Sequence, residues 1–265
     1  MAVELTSKDN QSVKNAVKLM SDARERRKTG RFIAEGLRLC NEVLINDVEI
    51  EELFYTEDAY LKNTADIDKL EAKANKAYMI TQEISEKISD TLSPQGIFCI
   101  GKIKENKVDT ENMKIDGQYL LLESIQDPSN VGAMFRTAEA LGLNGAILSA
   151  DCCDIYNPKA MRASMGAVFR FPVAVVKSAP EMIKKIRSSG MRPLAAVPDS
   201  DASKITGVRF FKGVVMCIGN EGNGLTEEAI KACGERVTIP MKGRAESLNA
   251  ATAAAILMWE MVRNY

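Results

Sequence analysis

Between Tyr119 and Arg263 short apolar runs alternate with helical stretches, and this alternation limits the fold more than any other feature of the chain. Strands are predicted at 119–122, 145–148, 172–176, 192–197, 213–218 and 236–239. Helices are predicted at 131–141, 158–164, 179–188, 226–232 and 247–263. The strands are largely apolar, as strands buried on both faces are. The pattern therefore predicts an α/β fold, a mostly parallel sheet with helices on both faces. Ligands on such sheets sit beyond the carboxyl ends of the strands.

The first hundred residues form a smaller alternating unit. An amphipathic helix is predicted over 12–28, with Val13, Ala16, Val17 and Met20 at helical spacing. Phe32-Ile33-Ala34 reads as a strand, and Glu35-Gly36 turns into a second helix. The polar, aperiodic run 101–117 separates the halves. The predicted organisation is a domain at 1–105, a linker at 106–117 and a second domain at 118–265. The end of the first helix carries Arg24, Arg26, Arg27 and Lys28, followed by Arg31. With a net charge of −1 the whole chain offers no field for nucleic acid, so this cluster is the candidate for local phosphate contacts.

The chain has no histidine. That excludes Ser-His-Asp and Cys-His nucleophile systems and histidine general bases. The six cysteines show no Cys-x-x-Cys spacing, so buried, reduced thiols and no metal site are expected. No run is long enough to cross a bilayer, and the N-terminus lacks the apolar core of a secretion signal. A cytoplasmic protein without membrane contact is expected.

Three polar clusters follow buried strands. In the first, Asn130 sits where a helix cap belongs, and Arg136 lies two turns into a helix that reads as buried, so it needs a partner. In the second, Gly219-Asn220-Glu221-Gly222-Asn223-Gly224 ends a strand with close-approach glycines and one carboxylate. Its spacing is not the dinucleotide fingerprint. The third follows Pro240: a polar loop 242–246, then Ser247 as the predicted cap of a helix rich in alanine. In a parallel sheet all three clusters can converge on one crevice.

Taken together, Asn130-x-Gly132-x-x-x-Arg136-Thr137-Ala138, Gly219-x-Glu221-x-x-Gly224-Leu225, and Ile239-Pro240-Met241 with Ser247-Leu248-Asn249 resemble the three motifs of the SpoU (TrmH-like) RNA methyltransferases of the SPOUT superfamily. The resemblance runs over 119–262, and the Phe32–Gly36 turn is similar to that of the small α/β RNA-binding domain often attached to these enzymes. It implies a deep C-terminal trefoil knot, S-adenosylmethionine as methyl donor, a ribose 2′-hydroxyl of RNA as acceptor, and a homodimer. It places the catalytic set on Asn130, Arg136, Glu221, Ser247 and Asn249, and the cofactor set on Val197, Gly219, Asn220, Ile239 and Leu248. The resemblance implies Arg136 as the activating base, but a guanidinium is a poor base, so Arg136 is expected instead to clamp phosphate and ribose, with Asn130 and Ser247 orienting the hydroxyl and Glu221 holding Arg136 or accepting the proton. Ribosomal RNA of the 23S class is the expected substrate. A tRNA ribose is the alternative, and a catalytically idle RNA-binding protein of the same fold is a rival of another class.

Overall fold

The computed structural model describes residues 2–104, 106–244 and 247–263. The chain folds as two compact units, one made of 1–105 with 154–170 and the other of 106–153 with 171–265. In chain order the first stretch contains β1 (Val3–Leu5), α1 (Gln11–Ser21), α2 (Ala23–Thr29), β2 (Arg31–Glu35), α3 (Leu37–Ile45), β3 (Ile50–Thr56), α4 (Glu57–Lys62), α5 (Thr64–Glu71), β4 (Ala74–Ile80), α6 (Gln82–Ile88) and β5 (Ile97–Lys102). The remainder contains β6 (Gln118–Leu122), α7 (Pro128–Ala140), β7 (Gly145–Ser149), α8 (Pro158–Ser164), β8 (Val173–Val176), α9 (Ala179–Ser188), β9 (Arg192–Ala196), β10 (Ser203–Lys204), β11 (Val214–Ile218), α10 (Glu227–Cys233), β12 (Arg236–Thr238) and α11 (Ala250–Val262).

The first unit is built on a mixed sheet in the order β1-β4-β3-β5-β2, with β5 antiparallel to both of its neighbours. The predicted single helix over 12–28 is two helices. Asp22 leaves the helical region at φ −117°, ψ 111°, and its side chain caps α2 by accepting from Arg24 N at 2.7 Å. Arg24, Arg26, Arg27 and Lys28 thus sit on a separate short helix, and Arg31 opens β2.

The segment 154–170 belongs to the core of the first unit, although the sequence places it in the second domain. Tyr156 stacks on Phe32 and Phe169 packs tilted against it, with ring centroids 5.4 and 5.1 Å away. The same segment supplies Asp154, whose Oδ2 accepts from Arg26 Nε at 2.7 Å. Arg26 is only 2% exposed, and its Nη1 donates to the carbonyls of Leu19 and Met20 at 2.6 and 3.2 Å. Arg26 is therefore a structural ion-pair residue, not an RNA contact, because a charge this buried needs a fixed counter-charge. Arg31 is half-committed to Glu51 at 3.4 Å, whereas Arg24, Arg27 and Lys28 are exposed. The run 106–117 is not a free linker: Asn106 O accepts from Val173 N at 2.9 Å, and Val108 is buried in the second unit's core.

The second unit carries a parallel sheet in the order β10-β12-β9-β11-β6-β7-β8. Alternate side chains of its strands face opposite layers. Tyr119, Leu121, Ile147, Val215 and Cys217 pack with α9 and α10. On the other face α7 and α11 pack against each other and against β7 and β11. Both faces are covered, which is why β7 and β11 are buried along their whole length.

Removing one partner of the Arg26–Asp154 pair strands a buried charge. Asp154→Ala should destabilise the first unit by about 3–5 kcal/mol, and the double variant Arg26→Met/Asp154→Ala by clearly less. Chemical denaturation followed by far-UV circular dichroism measures both.

Candidate active site

Because the second sheet is parallel, the carboxyl ends of β12, β9, β11 and β6 lie side by side, and the loops that leave them meet. A cleft of about 370 Å³ opens there, a size suited to a small organic ligand. All of the sequence-derived cofactor set lines it: Val197 beyond β9, Gly219 and Asn220 beyond β11, Ile239 beyond β12, and Leu248 ahead of α11. Glu221 and Ser247 line it too. The small side chains of Ala250 and Ala253 form its wall on the α11 side, while Ala254 is fully buried. Lys242, Gly243 and Arg244 of the polar loop are exposed; Ala245 and Glu246 lie outside the described residues.

Gly219 is dictated by close approach. A Cβ there would lie 2.0 Å from the backbone N of Leu225 and 2.1 Å from the carbonyl carbon of Gly224. The loop folds back on itself through paired bonds, Asn220 N to Gly224 O at 3.0 Å and Gly224 N to Asn220 O at 2.9 Å. The Asn220 side chain holds the turn from inside, accepting from Gly222 N and Asn223 N and donating to Ser124 O at 2.8 Å. The Asn220 side chain is therefore committed to holding the turn, with its oxygen on two backbone N–H groups and one N–H on Ser124 O.

The three polar clusters are joined by one run of hydrogen bonds. Asn249 caps α11, its Oδ1 accepting from Ala251 N at 2.9 Å and Thr252 N at 3.2 Å. Its Nδ2 donates to Asn130 Oδ1 at 3.0 Å, and Asn130 Nδ2 donates to Glu221 Oε1 at 2.9 Å. Glu221 also accepts from Gln126 N at 3.2 Å and Asp127 N at 3.1 Å. The cap fixes the amide orientations in turn. Asn249 must present oxygen to α11, so Asn130 receives its N–H and must present its own N–H to the carboxylate. Burial works against the Glu221 carboxylate, but the Asn130 amide and the Gln126 and Asp127 N–H groups outweigh it and hold its pKa below the ordinary range.

Several expectations change. The cap of α11 is Asn249, two residues after Ser247, which is exposed at the cleft. The cap of α7 is Asp127, which accepts from Ser129 N at 2.8 Å, while Asn130 is buried in the first turn with its side chain in the relay. Arg136 is exposed, not buried, and makes no hydrogen bond or ion pair among the described residues. Glu221 does not hold it. The buried stripe of α7 runs through Val131, Met134, Phe135 and Ala138, and Arg136 falls outside that stripe. Sequence reasoning gave no role to Ser124, Ser149 and Asp151, which brace the loop after β6. The only local signal is a serine at a strand end, which is a common residue there.

Residues 117–259 match the SpoU rRNA Methylase family, and residues 10–99 match the MRM3-like substrate binding domain. The chain is 28% identical to the 23S rRNA (guanosine(2553)-2′-O)-methyltransferase RlmP of Bacillus subtilis, over 97% of this chain and 98% of that one. It is 26% identical to the 23S rRNA (uridine(2479)-2′-O)-methyltransferase of Streptomyces viridochromogenes, over 92% and 87% of the two chains. Among solved structures, the AdoMet-bound rRNA methyltransferase of Sinorhizobium meliloti superposes with a TM-score of 0.85 at 28% identity, covering 99% of this chain and 98% of that one. The matched motifs, the loops they build and the fold that carries them agree: this chain belongs to the SpoU rRNA methylase family.

Proposed function

We propose that this protein is an S-adenosylmethionine-dependent methyltransferase acting on a ribose 2′-hydroxyl of 23S ribosomal RNA. The observation that carries the reading is the Asn249–Asn130–Glu221 relay beside a cleft walled by Gly219, Ile239 and Leu248. The near full-length match to ribosomal RNA methyltransferases favours ribosomal over transfer RNA.

The cleft suits the cofactor on its own terms. It is lined by apolar side chains, and the glycine loop leaves no room for a Cβ at Gly219. Val197, Ile239 and Leu248 would enclose the donor, with the backbone of Gly219 and Asn220 beside it. When bound, S-adenosylmethionine supplies a methyl group on a sulfonium that leaves readily, so positioning carries much of the rate. The residues of this chain do the positioning. Ser247 offers a hydroxyl at the cleft wall, and Asn249 retains a second amide N–H after the one given to Asn130. Together they orient the ribose hydroxyl. Arg136, charged and unpaired, clamps the neighbouring phosphate and favours the ionised form of the hydroxyl. A guanidinium is too weak a base to take the proton. Glu221 is also ill suited, because three N–H donors stabilise its carboxylate form. The proton therefore leaves to water.

The finer architecture rests on the same reading. The C-terminal segment carrying β12 and α11 forms the trefoil knot, and the first unit, with Arg24, Arg27 and Lys28 exposed on α2, grips the RNA as a ribosomal-protein-like domain. A cytoplasmic location follows from the substrate. The outer side of α11 exposes Trp259 by 55% and Ile256 by 36%, at helical spacing, and it pairs with a second copy to form a homodimer.

Arg136→Ala should lower methyl transfer by about a hundredfold or more, as loss of one charge-stabilising contact does. Cofactor affinity by calorimetry should stay within about threefold, because Arg136 does not line the cleft. Trp259→Asp should convert a dimer to a monomer in sedimentation velocity, by placing a charge at the centre of the interface. A wild-type protein that sediments as a monomer contradicts the assembly.

A further inference from the structure

Ser124 is one of the few residues other than glycine at positive φ, with φ at 57°. A serine is strained there, and such strain persists only where neighbouring groups fix it. Ser124 N donates to Ser149 Oγ at 2.8 Å, and Ser149 Oγ donates to Asp151 Oδ1 at 2.5 Å. Ser124 Oγ donates to Asp151 Oδ2. The Asp151 carboxylate thus receives both hydroxyls that hold Ser124, one directly and one through Ser149. The carbonyl of Asp151 accepts from Gln126 Nε2 at 2.7 Å, and Cys153 N donates to Ile125 O at 2.8 Å, so the bracing continues along the loop.

What Ser124 holds matters to the site. Its carbonyl accepts from Asn220 Nδ2, the side chain that forms the glycine-loop turn at the cleft. Two and three residues further on, Gln126 N and Asp127 N donate to Glu221. The left-handed turn at Ser124 therefore sets both the carbonyl that positions Asn220 and the N–H groups that position Glu221.

We infer that Asp151 is a positioning residue for methyl transfer, acting by locking Ser124 in its left-handed conformation. It does not line the cleft, and its hydrogen bonds go to Ser124, Ser149 and Gln126. The inference rests on the proposed methyltransferase reading for its activity readout, and on geometry alone for its cofactor readout. Without the carboxylate, Ser124 relaxes toward negative φ, and the Asn220 turn and the Glu221 anchor lose their shared reference.

The decisive experiment combines Asp151→Ala with Ser124→Gly, since glycine adopts positive φ without the strain that Asp151 offsets. In the full-length protein, Asp151→Ala should lower kcat about tenfold or more, with the KM for ribosomal RNA within about threefold. It should also weaken S-adenosylmethionine binding measured by calorimetry. Ser124→Gly alone should leave both close to wild type. The double variant should recover most of the lost kcat and affinity, because its turn no longer needs the carboxylate. A merely structural carboxylate would lower the denaturation midpoint of Asp151→Ala while leaving kcat and cofactor affinity of the folded protein near wild type. An Asp151→Ala protein with wild-type kcat and affinity overturns the inference, and so does a double variant no better than Asp151→Ala. If the wild type methylates no ribosomal RNA, the functional proposal fails instead, and the cofactor titrations still decide the role of Asp151. Should Asp151→Ala fail to fold, Asp151→Asn, which keeps one acceptor oxygen, carries the same comparison.

Discussion

The hydrogen bond between Asn249 and Asn130 is the contact on which the geometry of the site depends. Asn130 lies at the start of α7, Asn249 at the start of α11, and Glu221 in the loop after β11. These residues are far apart in sequence, and the relay joins their loops through side chains. Each amide uses its oxygen on one neighbour and its nitrogen on the next, so the orientation set by the α11 cap runs through to the carboxylate. A relay whose amide orientations are fixed at both ends is rigid, and rigidity is what a displacement dependent on alignment requires.

Around this relay the chain removes bulk wherever the backbone must come close. Gly219 leaves no room for a Cβ against Leu225 and Gly224. Ala250 and Ala253 keep the α11 side of the cleft open, and Ala254 is fully buried beside them in the sequence. The run of alanines in α11 is thus explained by what lies against it as well as by helix propensity. Conformational strain is accepted at Ser124, where two serine hydroxyls and one carboxylate hold it.

Much of this was legible in the sequence because it depends on local order. Largely apolar runs mark six of the seven strands of the parallel sheet, the short polar edge strand β10 (Ser203–Lys204) giving no such signal, and α8 and α9 fall at the predicted boundaries. Asn130, Gly219, Glu221 and Asn249 stood out as polar or small residues directly after buried strands. What was not legible depends on partners distant in sequence. Arg26 looked like part of a solvated basic cluster, and only the return of Asp154 to the first unit makes it a buried ion pair. Arg136 was expected to be buried because its neighbours are apolar, yet its own position falls off the buried stripe of α7. Both caps were misplaced by a few residues, since Ser247 and Asn130 are as good cap residues as Asn249 and Asp127. Asp151 carried no signal, because its role arises only through Ser124 and Ser149.

Single-turnover methylation of ribosomal RNA with labelled S-adenosylmethionine, for wild type, Asn130→Ala, Asn249→Ala and the double variant, tests the central claim most directly. The product should be a ribose 2′-O-methylated nucleotide. Each single variant should slow transfer by roughly tenfold or more, and the double variant should be no slower than the worse single one, because the relay acts as one unit. A base-methylated product, or single effects that multiply in the double variant, would contradict the account.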